Sequence, residues 1–131
     1  MPRFVLHGLG GEEIRSADRS GPYLIEVWST WCAPCIEDME QLHQFHKEAG
    51  RLEIISVAID GVRAPVDAFR AERWPMPWTN AWVPSGKALF DGWGLGRVRV
   101  PFAVLVDGDG RVLEAKPHVA LDNARKLGNA P

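Results

Sequence analysis

The sequence predicts an α/β domain with a mixed central β-sheet flanked by helices on both faces. Two observations carry that expectation. Tyr23–Trp28 and Leu52–Ile59 are nearly continuous apolar runs, the pattern of strands covered on both faces, and each precedes a helical segment. Such a strand–helix–strand–helix series demands parallel pairing through right-handed crossovers. Later, Phe102–Val106 and Arg111–Glu114 flank Asp107-Gly108-Asp109-Gly110, a hairpin signal that adds antiparallel strands.

The elements follow in order. Phe4–Leu6 reads as a short strand, followed by a loop and a turn at Ser20–Pro22 before the strand Tyr23–Trp28. Ser29–Cys35 reads as a loop. A helix is expected over Pro34–Ala49, because Ile36, Met39, Leu42 and Phe45 recur at steps of three and Gly50 can end it. Leu52–Ile59 is the second buried strand, and Pro65–Arg73 a helix with proline in its first turn. Trp74–Ser85 is expected to be irregular, broken by Pro75, Pro77 and Pro84. Lys87–Trp93 reads as a short helix, and Leu121–Leu127 as a terminal one.

A chain of 131 residues fits one domain, spanning 1–131. Its 46% hydrophobic and 24% charged residues are those of a globular chain rather than a disordered one. With 15 basic and 17 acidic residues the net charge is -2, so no basic excess draws it to nucleic acid or a membrane surface. No apolar run approaches the roughly 20 residues of a membrane span, and no secretory leader pattern opens the sequence.

The two cysteines lie three positions apart in Trp31-Cys32-Ala33-Pro34-Cys35, between a buried strand and a helix. The first turn of a helix presents free N–H groups and the positive end of the dipole, which stabilise a thiolate. A thiol of ordinary pKa about 8.5 commonly falls toward about 7 or below in such a place. Cys32 is expected to be exposed and nucleophilic, with Cys35 one turn further in, near enough to close a disulfide. Pro34 needs no N–H partner there and stiffens the approach. These are the parts of thiol–disulfide exchange: an ionised attacking sulfur and a resolving thiol beside it.

The alternative is a metal-binding or copper-delivery module using the same dithiol. His43 and His46 follow it, but their spacing departs from that of zinc fingers. On a continuous helix His43 would lie about 12 Å along the axis from Cys35. Both histidines are expected to be solvated, no metal is assigned and no cofactor is required. Asp107–Gly110 lacks the twelfth-position Glu of a calcium loop, and the glycines at 92, 94 and 96 lack dinucleotide-binding spacing.

Trp28-Ser29-Thr30-Trp31-Cys32-Ala33-Pro34-Cys35 resembles the active-site segment of the thioredoxin superfamily. The rest is similar to its bacterial TlpA/ResA-like branch, with an insertion from about Gly61 to Arg99 between the second βα unit and the later strands. A Val-Pro step then leads into a strand and an Asp-x-x-Gly hairpin, here Val100-Pro101-Phe102 through Asp107 to Gly110. The resemblance implies a thioredoxin fold and a thiol-disulfide oxidoreductase, with reduction the expected direction, often serving cytochrome c maturation outside the cytoplasmic membrane. It implies client proteins with disulfides or thiols, an upstream thiol electron donor and a monomer. It aligns Glu26 with a buried acid that accepts the proton of the second cysteine. Phe102 falls beside the family's docking groove, and the Val100–Pro101 peptide is expected to be cis and packed against the dithiol, turning the Val100 backbone outward to pair with an extended client strand. Trp31 is expected to shield Cys32 and contact the client, whereas Trp28 is expected to be core. The tryptophans at 74, 78, 82 and 93 are expected to pack the insertion onto the domain.

Overall fold

The computed structural model describes residues 1–48, 52–117 and 121–128. Its strands are β1 (Val5–His7), β2 (Glu13–Arg15), β3 (Tyr23–Trp28), β4 (Glu53–Ala58), β5 (Thr79–Trp82), β6 (Phe102–Val106) and β7 (Val112–Lys116). The α-helices are α1 (Ala33–Glu37), α2 (Met39–Glu48), α3 (Ala64–Glu72), α4 (Gly86–Gly92) and α5 (Leu121–Gly128). The main sheet runs β5-β4-β3-β6-β7, with β3, β4 and β5 parallel and β6 and β7 antiparallel to their neighbours. This is the mixed sheet expected from the order of elements.

Alternation along β3 divides the core. Tyr23, Ile25 and Val27 face one side, where they pack with Phe4, Leu6 and Ile14 of the amino-terminal hairpin region and with Leu89 and Phe90 of α4. Leu24 and Trp28 belong to the clusters on the other side, formed with α1, α2, α3 and α5 through Cys35, Met39, Phe45, Val66, Phe69 and Ala124. Glu26 lies between Leu24 and Trp28 in that alternation, so the face that receives α1 also carries a carboxyl.

Four differences from the sequence expectation have local causes. The loop before Ser20 contains β2, which pairs antiparallel with β1 through Leu6 opposite Ile14; the first strand itself is Val5–His7 rather than Phe4–Leu6. The helix expected over Pro34–Ala49 is two helices. Asp38 ends α1 with ψ −11°, and its carbonyl accepts the N–H of Leu42 at 3.0 Å to open α2. Its Ala49 end and the Gly50 stop lie outside the described residues.

The segment expected to be irregular holds β5. Its four residues fit between Pro77 and Pro84, and as an edge strand of the main sheet it pairs with β4 while Gly8 bridges to Ala81 on its outer side. The hairpin's second strand begins at Val112 and continues to Lys116, after a register irregularity at Leu105/Val106.

Candidate active site

Cys32 is the N-cap of α1, at the carboxyl end of β3, where the chain leaves the parallel part of the sheet, the usual place for a site beside parallel strands. Its extended backbone (φ −96°, ψ 100°) turns the side chain back over the helix, and the Cys35 N–H donates to Cys32 Sγ at 3.2 Å. Pro34 occupies the first turn. The two cysteines form a disulfide, with Cα atoms 5.3 Å apart.

Cys32 was expected to be exposed, and this is corrected: it is 5% exposed and Cys35 fully buried. Both sulfurs belong to the apolar cluster with Trp28, Met39, Val66 and Phe69, which covers them; Val100 packs against the same cluster. The exposed neighbour is Trp31, at 66%. Trp28 is core, packed at a tilt against Phe69 with ring centroids 5.0 Å apart. The Val100–Pro101 peptide is cis, and both residues are half-buried.

The loop that presents the dithiol is tied down by a residue sequence reasoning missed. Asp60 is buried just beyond β4; its carboxylate accepts the Thr30 hydroxyl at 2.5 Å and the Thr30 N–H at 3.2 Å. Its carbonyl accepts the Trp82 indole N–H at 2.6 Å. The available signal was an acid directly following an apolar strand run, level with the end of β3: the Ile59 N–H donates to the Trp28 carbonyl at 3.0 Å.

Glu26 is buried, as its apolar flanks suggested. Its Oε2 accepts the Ser56 hydroxyl at 2.8 Å, and Ser56 Oγ accepts the Trp78 indole N–H at 2.8 Å. Burial pushes the Glu26 carboxyl up to about 8; the Ser56 hydrogen bond works against that and the nearby Asp38 carboxylate with it. Glu26, Asp38, Gln41 and Pro101 line a common pocket of about 120 Å³, so the strand acid, the end of α1 and the proline step meet at one place.

The expectation that His43 and His46 are solvated is corrected. His43 is half-buried between the rings of Trp74 and Trp78, at 4.5 and 4.7 Å, and His46 lies 5.3 Å from Trp78. The Met76 N–H donates to His43 Nε2 at 3.1 Å, while Nδ1 lies 2.8 Å from the Met39 carbonyl oxygen. Tryptophans 74, 78 and 82 pack against the cluster holding the dithiol, and Trp93 against the opposite core. Among the described residues no three His, Cys, Asp or Glu side chains converge as a metal-ligand group.

A parallel-to-antiparallel five-stranded sheet with a Cys-x-x-Cys pair opening the first helix defines a dithiol protein of the thioredoxin fold. The family model described as thioredoxin-like matches residues 21–112, and the chain belongs to that family. It is 30% identical over 115 residues to the thiol-disulfide oxidoreductase ResA of Geobacillus thermodenitrificans, covering 85% of this chain and 63% of the relative. It is 29% identical over 119 residues to the thiol:disulfide interchange protein DsbE of Escherichia coli, covering 84% of this chain and 59% of the relative. The chain thus spans less than two thirds of the length of these relatives. Among solved structures, the thioredoxin domain of a Bacteroides vulgatus thiol-disulfide oxidoreductase superposes with a TM-score of 0.81 at 20% identity, covering 98% of this chain and 94% of that one.

Proposed function

We propose that this domain is a thiol-disulfide oxidoreductase that reduces disulfides in client proteins. The observation that carries the reading is the Cys35 N–H directed at Cys32 Sγ, at the start of α1. In the reduced form the same donor and the helix terminus stabilise a thiolate on Cys32. That thiolate attacks one sulfur of a client disulfide. A Cys32–client bond forms, the client S–S bond breaks, and the departing client sulfur takes a proton. Cys35 then loses its proton and attacks Cys32 Sγ. The Cys32–Cys35 disulfide forms and the client leaves with its second sulfur reduced. Two electrons pass from the dithiol to the client, and an upstream thiol donor restores them.

Glu26 is the proton acceptor for Cys35, directly or through water. A carboxyl of pKa about 8 is mostly protonated at neutral pH, and its ionised minority can take and return a proton at small free-energy cost. Trp31 supplies an exposed aromatic contact beside the dithiol, and Val100 and Pro101 the opposing wall for an extended client segment. The family resemblance further points to a place outside the cytoplasmic membrane and to clients in cytochrome c maturation.

The test is a pair of variants assayed on a protein disulfide. Cys32→Ser is expected to abolish reduction, and Cys35→Ser to accumulate a mixed disulfide visible by non-reducing electrophoresis. Turnover of the Cys35→Ser protein at the wild-type rate would overturn the two-step assignment.

A further inference from the structure

Three buried polar residues stand in register across the apolar sheet: Glu26 on β3, Ser56 on β4 and Asn80 on β5. The Asn80 side-chain amide donates to the carbonyls of Met76 and Trp78, both at 2.8 Å, and so fixes the turn from which Trp78 projects. Trp78 N–H donates to the Met76 carbonyl at 2.8 Å, and Met76 takes the left-handed conformation (φ 47°) this turn requires. The His43 ring packs on Trp78 and accepts the Met76 N–H.

The consequence lies at Ser56. An indole N–H only donates, so Ser56 Oγ is the acceptor in its bond with Trp78. A serine hydroxyl has one hydrogen and two lone pairs; the indole N–H takes one lone pair and turns the hydrogen away from itself, and the acceptor that hydrogen meets is Glu26 Oε2. Glu26 Oε2 is thereby held as an acceptor. Oε1, which is buried, has no hydrogen-bond partner among the described residues. We propose that Trp78, acting through Ser56, is a positioning residue for Glu26: it fixes the direction of the Ser56 hydroxyl and leaves Oε1 as the oxygen that gains and loses the proton.

The other neighbours of Glu26 do not offer an alternative orientation. Its register partner on β6 is Ala103; Leu42 of α2 and Leu121 of α5 line the pocket, and Gln41 lines it as a neutral amide. The charged group acting on Glu26 is Asp38, at the end of α1. Cys32 and Cys35 are paired and do not titrate in the oxidised protein. A fixed Ser56 donor favours the ionised carboxylate. Without the Trp78 N–H, Ser56 Oγ loses a donor that polarises its hydroxyl, so its bond to the ionised carboxylate weakens and the neutral form of Glu26 is favoured.

The inference deepens the proton-acceptor reading of Glu26 and rests on it for its catalytic meaning, but the orientation is measurable without turnover. The experiment is a carbon-13 titration of the Glu26 carboxyl in the oxidised protein, in wild type, Ser56→Ala and Trp78→Phe. Ser56→Ala is expected to raise the midpoint by about one pH unit or more, the size of a lost hydrogen bond to a charged group. Trp78→Phe is expected to move it in the same direction by less. In wild type the Trp78 indole N–H resonance is expected to shift with the Glu26 midpoint and to lose that shift in Ser56→Ala, a link that mere packing would not produce. An unmoved midpoint in Trp78→Phe, or an indole resonance indifferent to Glu26, overturns the proposal even if Ser56→Ala behaves as stated. The pH profile of mixed-disulfide release separates the two readings. If the midpoints move and the release profile does not follow, the positioning holds and the proton-acceptor role of Glu26 fails.

Discussion

The N–H of Cys35 donates to the Sγ of Cys32 across 3.2 Å, so the resolving residue contributes its backbone to the attacking sulfur before it contributes its own thiol. This works because Cys32 is the N-cap and Cys35 stands at the third helical position, where a backbone donor lacks an intrahelical partner. The two cysteines are therefore unequal in electrostatics, although both are buried. On brief treatment of the reduced protein with iodoacetamide near neutral pH, Cys32 is expected to be alkylated at least about tenfold faster than Cys35, mapped by peptide mass. Equal labelling would remove the asymmetry on which the mechanism depends.

Glu26 sets a pH dependence with a definite sign. Its folded pKa of about 8 lies above an unfolded value of about 4.3. Between those values the folded state binds more protons than the unfolded, so this group's contribution to stability falls as pH rises through the window. Glu26→Gln cannot ionise. Its denaturation free energy, followed in urea at several pH values, is expected to change less between pH ~4.5 and ~8 than that of wild type, and to exceed wild type at the upper end. Parallel curves for the two proteins would contradict the buried, proton-retaining carboxyl.

Asp60 gives the dithiol loop its fixed end. Asp60→Ala leaves the Thr30 hydroxyl and N–H without their acceptor. A loss of about 1–3 kcal/mol is expected, together with slower client reduction because the loop before Cys32 is no longer anchored. Thermal unfolding reads the first effect and a turnover assay the second. A variant as stable as wild type would show the bonds to be replaceable by solvent.

His43 links α2 to the turn before β5. His43→Phe keeps a ring against Trp74 and Trp78 but loses the acceptor for the Met76 N–H. Because Met76 is fully buried, the unpaired donor is expected to cost about 1–3 kcal/mol. Tryptophan emission is expected to shift as the turn relaxes. His43→Phe with unchanged emission and stability would return this histidine to a passive surface role.

What the sequence determined by itself is local. The apolar runs of β3 and β4, the Asp107–Gly110 turn and the helix after the dithiol are each specified by residues within one element, and periodicity and turn chemistry make them legible. The dithiol was legible for the same reason: a helix start and a three-residue spacing suffice to bring two sulfurs together. Glu26 stood out as one acid in an apolar strand. Tertiary structure decided the rest. Thr79–Trp82 becomes a strand because β4 offers it a free edge, which its flanking prolines concealed. Cys32 is buried because the cluster around Trp28 closes over the bridged sulfurs. Asp60, Ser56, Trp78 and His43 gain their partners from segments 22 to 33 residues away in the chain. A hydrogen bond across such a separation depends on strand register and on how the helices seat against the sheet, and neither leaves a mark in the residues on either side of the bonded pair.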